Sequence, residues 1–182
     1  DLYKRRALPE LLDRLCEVEG IEWIRLHYSY PSKFPLDVIH TMNKQSKVCN
    51  YLDIPLQHAT DRMLLAMKRQ INKKETVELI QSIRQIIPDI SLRTTMLVGF
   101  PGETEDDFEE LCEFIKEHKF DRLGVFQYSH EEDTSAHDLI DSVSSEIKEY
   151  RAQRLMQIQE DISYALNEKK RGKHFKVIID RI

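Results

Sequence analysis

Residues 91–115 read SLRTTMLVGFPGETEDDFEELCEFI. An apolar run ends at Gly99, turns through Pro101-Gly102, and restarts as an acidic helical pattern. Thr104 and Asp107 stand three apart, the spacing of a capping box, and Glu105, Asp106 and Asp107 favour the positive end of a helix. Phe108, Leu111, Cys112 and Ile115 then follow the i, i+3, i+4, i+7 stripe that packs on a sheet. The stretch is thus a strand, a tight corner and a helix, which is one βα unit. Spacing alone leaves the corner open between two readings. It is a turn whose glycines supply positive φ, or a bare backbone against which a flat ligand lies.

The same pattern recurs along the chain. EWIRLHY (22–28), YLDIPL (51–56) and RLGVFQY (122–128) also read as strands, each followed by turn formers. The residues around Ile54 and from Met96 to Val98 are apolar enough to be buried on both faces. Helical patterns cover 8–19, with Leu8, Leu11, Leu12 and Leu15 on one face, and 35–44, 60–69 and 73–87. Strands alternating with helices imply a parallel sheet. Four strands cannot close an eight-stranded barrel, so the expected fold is an open α/β sheet or an incomplete parallel barrel. From 144 to 172, Ile147, Arg151, Leu155, Ile158, Ile162 and Leu166 recur at three- and four-residue steps, giving a helix of about 25 residues. HFKVIID (174–180) then alternates like a strand. We therefore divide the chain into residues 1–172, the barrel part, and 173–182, the first strand of a small β domain.

Composition bounds the function. The 182 residues carry a net charge of −5, with 41% hydrophobic and 32% charged residues, as in ordinary globular proteins. An acidic chain argues against general phosphate neutralisation; KKRGKHFK (169–176) is the local exception. No apolar run approaches the roughly 20 residues needed to cross a bilayer. Cys16, Cys49 and Cys112 are odd in number and widely spaced, which fits a reducing cytoplasm and makes no metal signature.

In parallel α/β folds, ligands sit at the carboxyl ends of the strands. HYSYP (27–31), PLQHAT (55–60), LVGFPGET (97–104) and QYSHEEDTSA (127–136) are therefore the informative loops. VGFPGE is neither a P-loop nor GxGxxG, which disfavours a triphosphate or dinucleotide. Arg93, a cation in an apolar strand, either pairs with Asp53 or reaches a ligand carboxylate. His58 is either a satisfied packing residue or a ligand-facing group. Glu131, Glu132 and Asp133 read as a solvated turn, and the basic run as the end of a helix complementing its dipole.

PLQHAT…MLLAMKR, LRTTMLVGFPGETEDDF and FQYSHEEDTSA together resemble the radical S-adenosylmethionine methylthiotransferases, over essentially the whole chain. Leu56-Gln57-His58-Ala59, Glu131-Glu132-Asp133-Thr134 and HYSYP resemble the RimO-like branch, which modifies a ribosomal protein, rather than the transfer-RNA branch. The resemblance implies a partial barrel continued by a TRAM-like β domain. It implies S-adenosylmethionine and two 4Fe-4S clusters, held by cysteines upstream; no CxxxCxxC lies in these residues, so this piece alone is expected to be inactive. It implies cofactor contacts from Gln57, Arg93, Val98, Gly99 and Phe100, with Arg93 and Gln57 on neighbouring strand ends. Tyr28, His58 and Tyr128 would face the substrate cavity, and Glu103 would brace the turn. The implied partner is a small-subunit ribosomal protein, modified on the β-carbon of an aspartate. Lys169, Lys170, Arg171 and Lys173 would lie near RNA. A non-catalytic ribosome-associated module and a transfer-RNA enzyme are the alternatives.

Overall fold

A computed structural model describes residues 5–178. Three strands, β1 (Tyr51–Asp53), β2 (Ser91–Val98) and β3 (Arg122–Gln127), pair in parallel in the order β1-β2-β3. Six helices surround them: α1 (Leu8–Glu17), α2 (Leu36–Lys44), α3 (Asp61–Ala66), α4 (Lys73–Ile86), α5 (Glu105–His118) and α6 (Ser145–Glu168). This is the expected α/β, partial-barrel arrangement.

Local sequence explains most element starts. Asn72 and Glu75 exchange hydrogen bonds as a capping box at α4, and Thr104 and Asp107 do the same at α5. Thr60 accepts from the Met63 N–H at α3, and Ser144 from the Ile147 N–H at α6. The expected stripe of α5 is fully used, since Phe108, Leu111, Cys112 and Ile115 are all buried. They share one core with Leu52, Leu92, Met96 and Val98 of the sheet, Ile80 and Ile83 of α4, and Leu155 of α6. Burying each such side chain is worth about 1.5–3 kcal/mol.

β2 alternates: Leu92, Thr94, Met96 and Val98 are buried, while Ser91, Arg93, Thr95 and Leu97 are half-exposed. Burial on both faces, expected for Met96–Val98, therefore holds only on the helix-covered side. The register sets Asp53, Arg93 and Arg122 side by side across the sheet.

The structure corrects five expectations. Residues 22–28 form no regular strand. Within the segment Ile24 bridges to Val48, ahead of β1, and just past it the Ser29 N–H donates to Asp53 O at 2.7 Å. Bonds at separated points do not make a continuous ladder. β1 ends at Asp53 rather than 56, although Ile54 and Gln57 still bond to β2. The 60–69 helix stops at Ala66, where Lys68 turns to positive φ and the Arg69 N–H donates back to Leu64 O at 2.8 Å. On α1, Leu12 is buried but Leu8 and Leu11 are exposed. The strand expected at 174–180 does not form over 174–178, where every residue is exposed and no strand partner is present; its last two residues lie outside the described part.

Candidate functional site

The carboxyl ends of the sheet gather the loops of interest. The chain leaves three successive extended segments through one residue of positive φ each: Tyr28 (57°), Gln57 (76°) and Gly99 (75°). For the two that carry side chains, this conformation costs about 1–2 kcal/mol. Such strain persists where the surroundings fix it, often at ligand sites. Gln57 is held by the ladder itself: its N–H donates to Thr95 O (2.9 Å) and its C=O accepts from Leu97 N (2.8 Å). Its side-chain amide has no hydrogen-bond partner among the described residues.

The corner between β2 and α5 is built around Glu103. The Gly99 N–H donates to Glu103 Oε2 at 2.5 Å, so the expected brace is present. The Glu103 N–H donates to Phe100 O (2.9 Å), Tyr128 N–H to Val98 O (2.9 Å), and Arg62 Nη2 to Gly102 O (2.8 Å). One peptide is left over: the Gly99 C=O and the Phe100 N–H have no partner among the described residues. Buried backbone groups are nearly always paired, with protein or with ordered water, so this unit keeps a free donor and acceptor. Phe100 meets Tyr128 edge-on at 5.2 Å between ring centres, and Met63 completes the small apolar cluster.

The Glu103 side chain is fully buried and gathers two further donors. The Thr60 N–H donates to His58 Nδ1 (3.2 Å), which leaves the Nε2–H of His58 to donate to Glu103 Oε1 at 3.0 Å. Arg151 Nη1, from α6, donates to Oε2 at 2.7 Å and its Nη2 to Glu105 Oε2 at 3.0 Å. A carboxylate in an apolar interior is tolerated when several donors converge on it. Lys148, also on α6, is buried; its aliphatic stem covers Gly99, and its Nζ donates to Asp141 Oδ2 at 2.6 Å, 5.1 Å from the Tyr128 ring centre.

Neighbouring electrostatics stiffen the same region. Burial pushes the Asp107 carboxyl upward, but hydrogen bonds from Arg62 and Thr104 outweigh it and hold the group far below the usual range. Burial pushes the Tyr128 hydroxyl up, with Asp141 and Glu131 adding to the effect. The Cys112 thiol is pushed up to about 11 by burial, the opposite of what a thiolate ligand requires.

The structure thus brings Gln57, Val98, Gly99, Phe100 and Tyr128 to one rim. Tyr28, 73% exposed, stands on the outer loop. Two expectations change. His58 is 0% exposed and locked inside, so it supports the corner from behind instead of facing a cavity. Arg93 is the third residue of the eight-residue β2, not a strand-end residue, and donates to Asp53 Oδ2 at 2.9 Å. The bareness of Gly99 also has another use than the one expected, because its open side is filled by Lys148. Sequence reading missed Lys148 and the role of Arg151. The available signal was a cation in the apolar stripe of α6, which demands a buried partner.

Among the described residues, no group of three His, Cys, Asp or Glu side chains could hold a metal ion, so they do not fit an iron–sulfur cluster. The Gly99–Phe100 peptide and the Gln57 amide each keep an unpartnered donor and acceptor among the described residues, the chemistry that a nucleoside's polar edge would need. No helix of the described residues is long and apolar enough to cross a membrane.

The ribosomal protein uS12 methylthiotransferase RimO of Flavobacterium psychrophilum is 52% identical over 181 residues, 100% of this chain and 42% of that protein. The enzyme of the same name from Cytophaga hutchinsonii is 53% identical, again over 100% of this chain and 41% of its own length. The chain therefore spans about two-fifths of these relatives. Coproporphyrinogen III oxidase HemN from Escherichia coli, a radical SAM enzyme, superimposes with a TM-score of 0.66 at 20% identity, covering 84% of this chain and 36% of that one. At that identity the likeness speaks for the fold alone. The Radical SAM superfamily model matches residues 4–115, from before α1 into α5, and so takes in both β1 and the β2 corner. With more than half of its residues matched by that family and its sheet folded as the family's is, the chain belongs to the radical SAM superfamily.

Proposed function

We propose that the chain is the rear part of the barrel of a radical S-adenosylmethionine methylthiotransferase acting on a small-subunit ribosomal protein. One observation carries this reading: half of the residues are identical, along the whole chain, with proteins named uS12 methylthiotransferases. The rim supports it. Gln57, Val98, Gly99 and Phe100 would hold the nucleoside end of the cofactor, with the free Gly99–Phe100 peptide bonding its polar edge. Tyr128, edge-on to Phe100, and Met63 would keep water from the reacting centre. Tyr28 would flank the entrance. His58 acts behind the rim, and Arg93 steadies the sheet through Asp53.

When bound, the cofactor and its iron–sulfur partner supply the hydrogen-abstracting radical and the methyl group; the residues here bind, orient and dry the site. Two clusters, held by cysteines upstream, complete the whole protein in this reading. Its target is the β-carbon of an aspartate, its compartment the cytoplasm. Lys169, Lys170, Arg171 and Lys173, all exposed at the end of α6, would lie near ribosomal RNA.

The test is to incubate the holoenzyme with S-adenosylmethionine, a sulfur source and either uS12 or transfer RNA, and to read both by mass spectrometry. We expect a methylthio adduct on one aspartate of uS12 and none on RNA. An adduct on RNA, or on neither, would overturn the reading.

A further inference from the structure

Resting on that reading, we propose that Arg151 of α6 is a positioning residue for the cofactor, acting through Glu103 on the Gly99–Phe100 peptide. The chain of contacts is short. Arg151 Nη1 donates to Glu103 Oε2 at 2.7 Å, and that same oxygen takes the Gly99 N–H at 2.5 Å. The Gly99 N–H direction sets φ at Gly99, held at 75°, and the corner's further course sets the tilt of the next peptide. That next peptide is the unpaired one.

Three features make Arg151 more than packing. It is 4% exposed, on the buried face of α6 that also carries Lys148, Leu155, Gln159 and Ile162. Its two nitrogens reach different elements: Nη1 bonds the side chain and C=O of Glu103, and Nη2 bonds Glu105 Oε2 at 3.0 Å in the first turn of α5. A lysine presents a single point of charge and cannot hold both. Its partner Glu103 is also gripped from the β1 side by His58 Nε2 at 3.0 Å, so the carboxylate is pinned between two elements. A movement of α6 by a fraction of an ångström is thereby passed to the corner, because a packed interior does not yield gradually. Lys148, one turn earlier, presses on the open side of Gly99 and fixes the same residue sterically.

The test is calorimetric titration of S-adenosylmethionine into the holoenzyme, comparing wild type with Arg151→Lys and Glu105→Gln. Ligand-free thermal midpoints are recorded beside it. We expect Arg151→Lys to weaken binding about tenfold or more, the weight of one charge-assisted hydrogen bond. Glu105→Gln, at a side chain 60% exposed, should weaken it only about two- to threefold. The electron paramagnetic spectrum of the reduced cluster should respond to ligand in wild type at concentrations that leave Arg151→Lys unchanged. Leu155→Val is the control for general loosening of α6. Wild-type affinity in folded Arg151→Lys would overturn the proposal. So would an equal loss in Leu155→Val at a matched fall in midpoint. A wild type that binds no S-adenosylmethionine would instead overturn the proposed function, and this inference with it.

Discussion

The aliphatic stem of Lys148 fills the space in which a side chain on Gly99 would stand. Gly99 is thus constrained twice, by its φ of 75° and by a buried neighbour on another helix. We expect Gly99→Ala to destabilise the protein by about 2–4 kcal/mol, adding left-handed strain to overpacking. Urea unfolding measures it. Lys148→Ala in the same chain should recover only the overpacking share, because the backbone strain stays. Full recovery would show that the left-handed conformation is not a constraint.

The buried carboxylate gives a second expectation. Glu103 takes donors from Gly99, His58 and Arg151 with its side chain fully out of water. Glu103→Ala leaves Arg151 as a buried cation with only Glu105 beside it, and should cost about 3–5 kcal/mol. A loss below ~1 kcal/mol in denaturant unfolding would mean that water replaces the carboxylate without penalty.

Acid should unfold the protein partly through Asp107. Its folded pKa lies below that of the unfolded chain, so the folded state binds fewer protons there. The stability it brings is complete above about pH 5 and falls as pH drops through the ordinary carboxylate range near 4 and below. Because the Arg62 side chain is 54% exposed, solvent screening limits the effect. Asp107→Asn should lower stability at pH 7 and flatten the acid limb of a stability-against-pH curve. An unchanged acid limb would remove Asp107 from the account.

Thiol chemistry separates the three cysteines. Cys112 is fully buried with its pKa raised to about 11, whereas Cys16 and Cys49 are half-buried. At pH 8, iodoacetamide should label Cys16 and Cys49 well before Cys112, which should react only on unfolding. Peptide mapping that finds Cys112 modified first would place α5 differently from its position here.

The amino-acid sequence by itself determined the elements whose causes are local. The Thr104–Asp107 cap, the Phe108-Leu111-Cys112-Ile115 stripe and the apolar run ending at Gly99 lie within a few residues of one another, so their pattern is legible in one dimension. The brace of Gly99 by Glu103, four residues away, was implied by the family resemblance. Tertiary structure alone decided what meets across long separations. His58 is 45 residues from Glu103 and Arg151 is 48, and no periodicity along the chain announces either contact. The sequence left Arg93 between Asp53 and a ligand carboxylate, and the sheet register settled it on Asp53; that 22–28 bonds to 47–49 only through Ile24 is likewise decided in three dimensions. Short-range patterns report which face a residue shows, but only folding in three dimensions decides what stands opposite it.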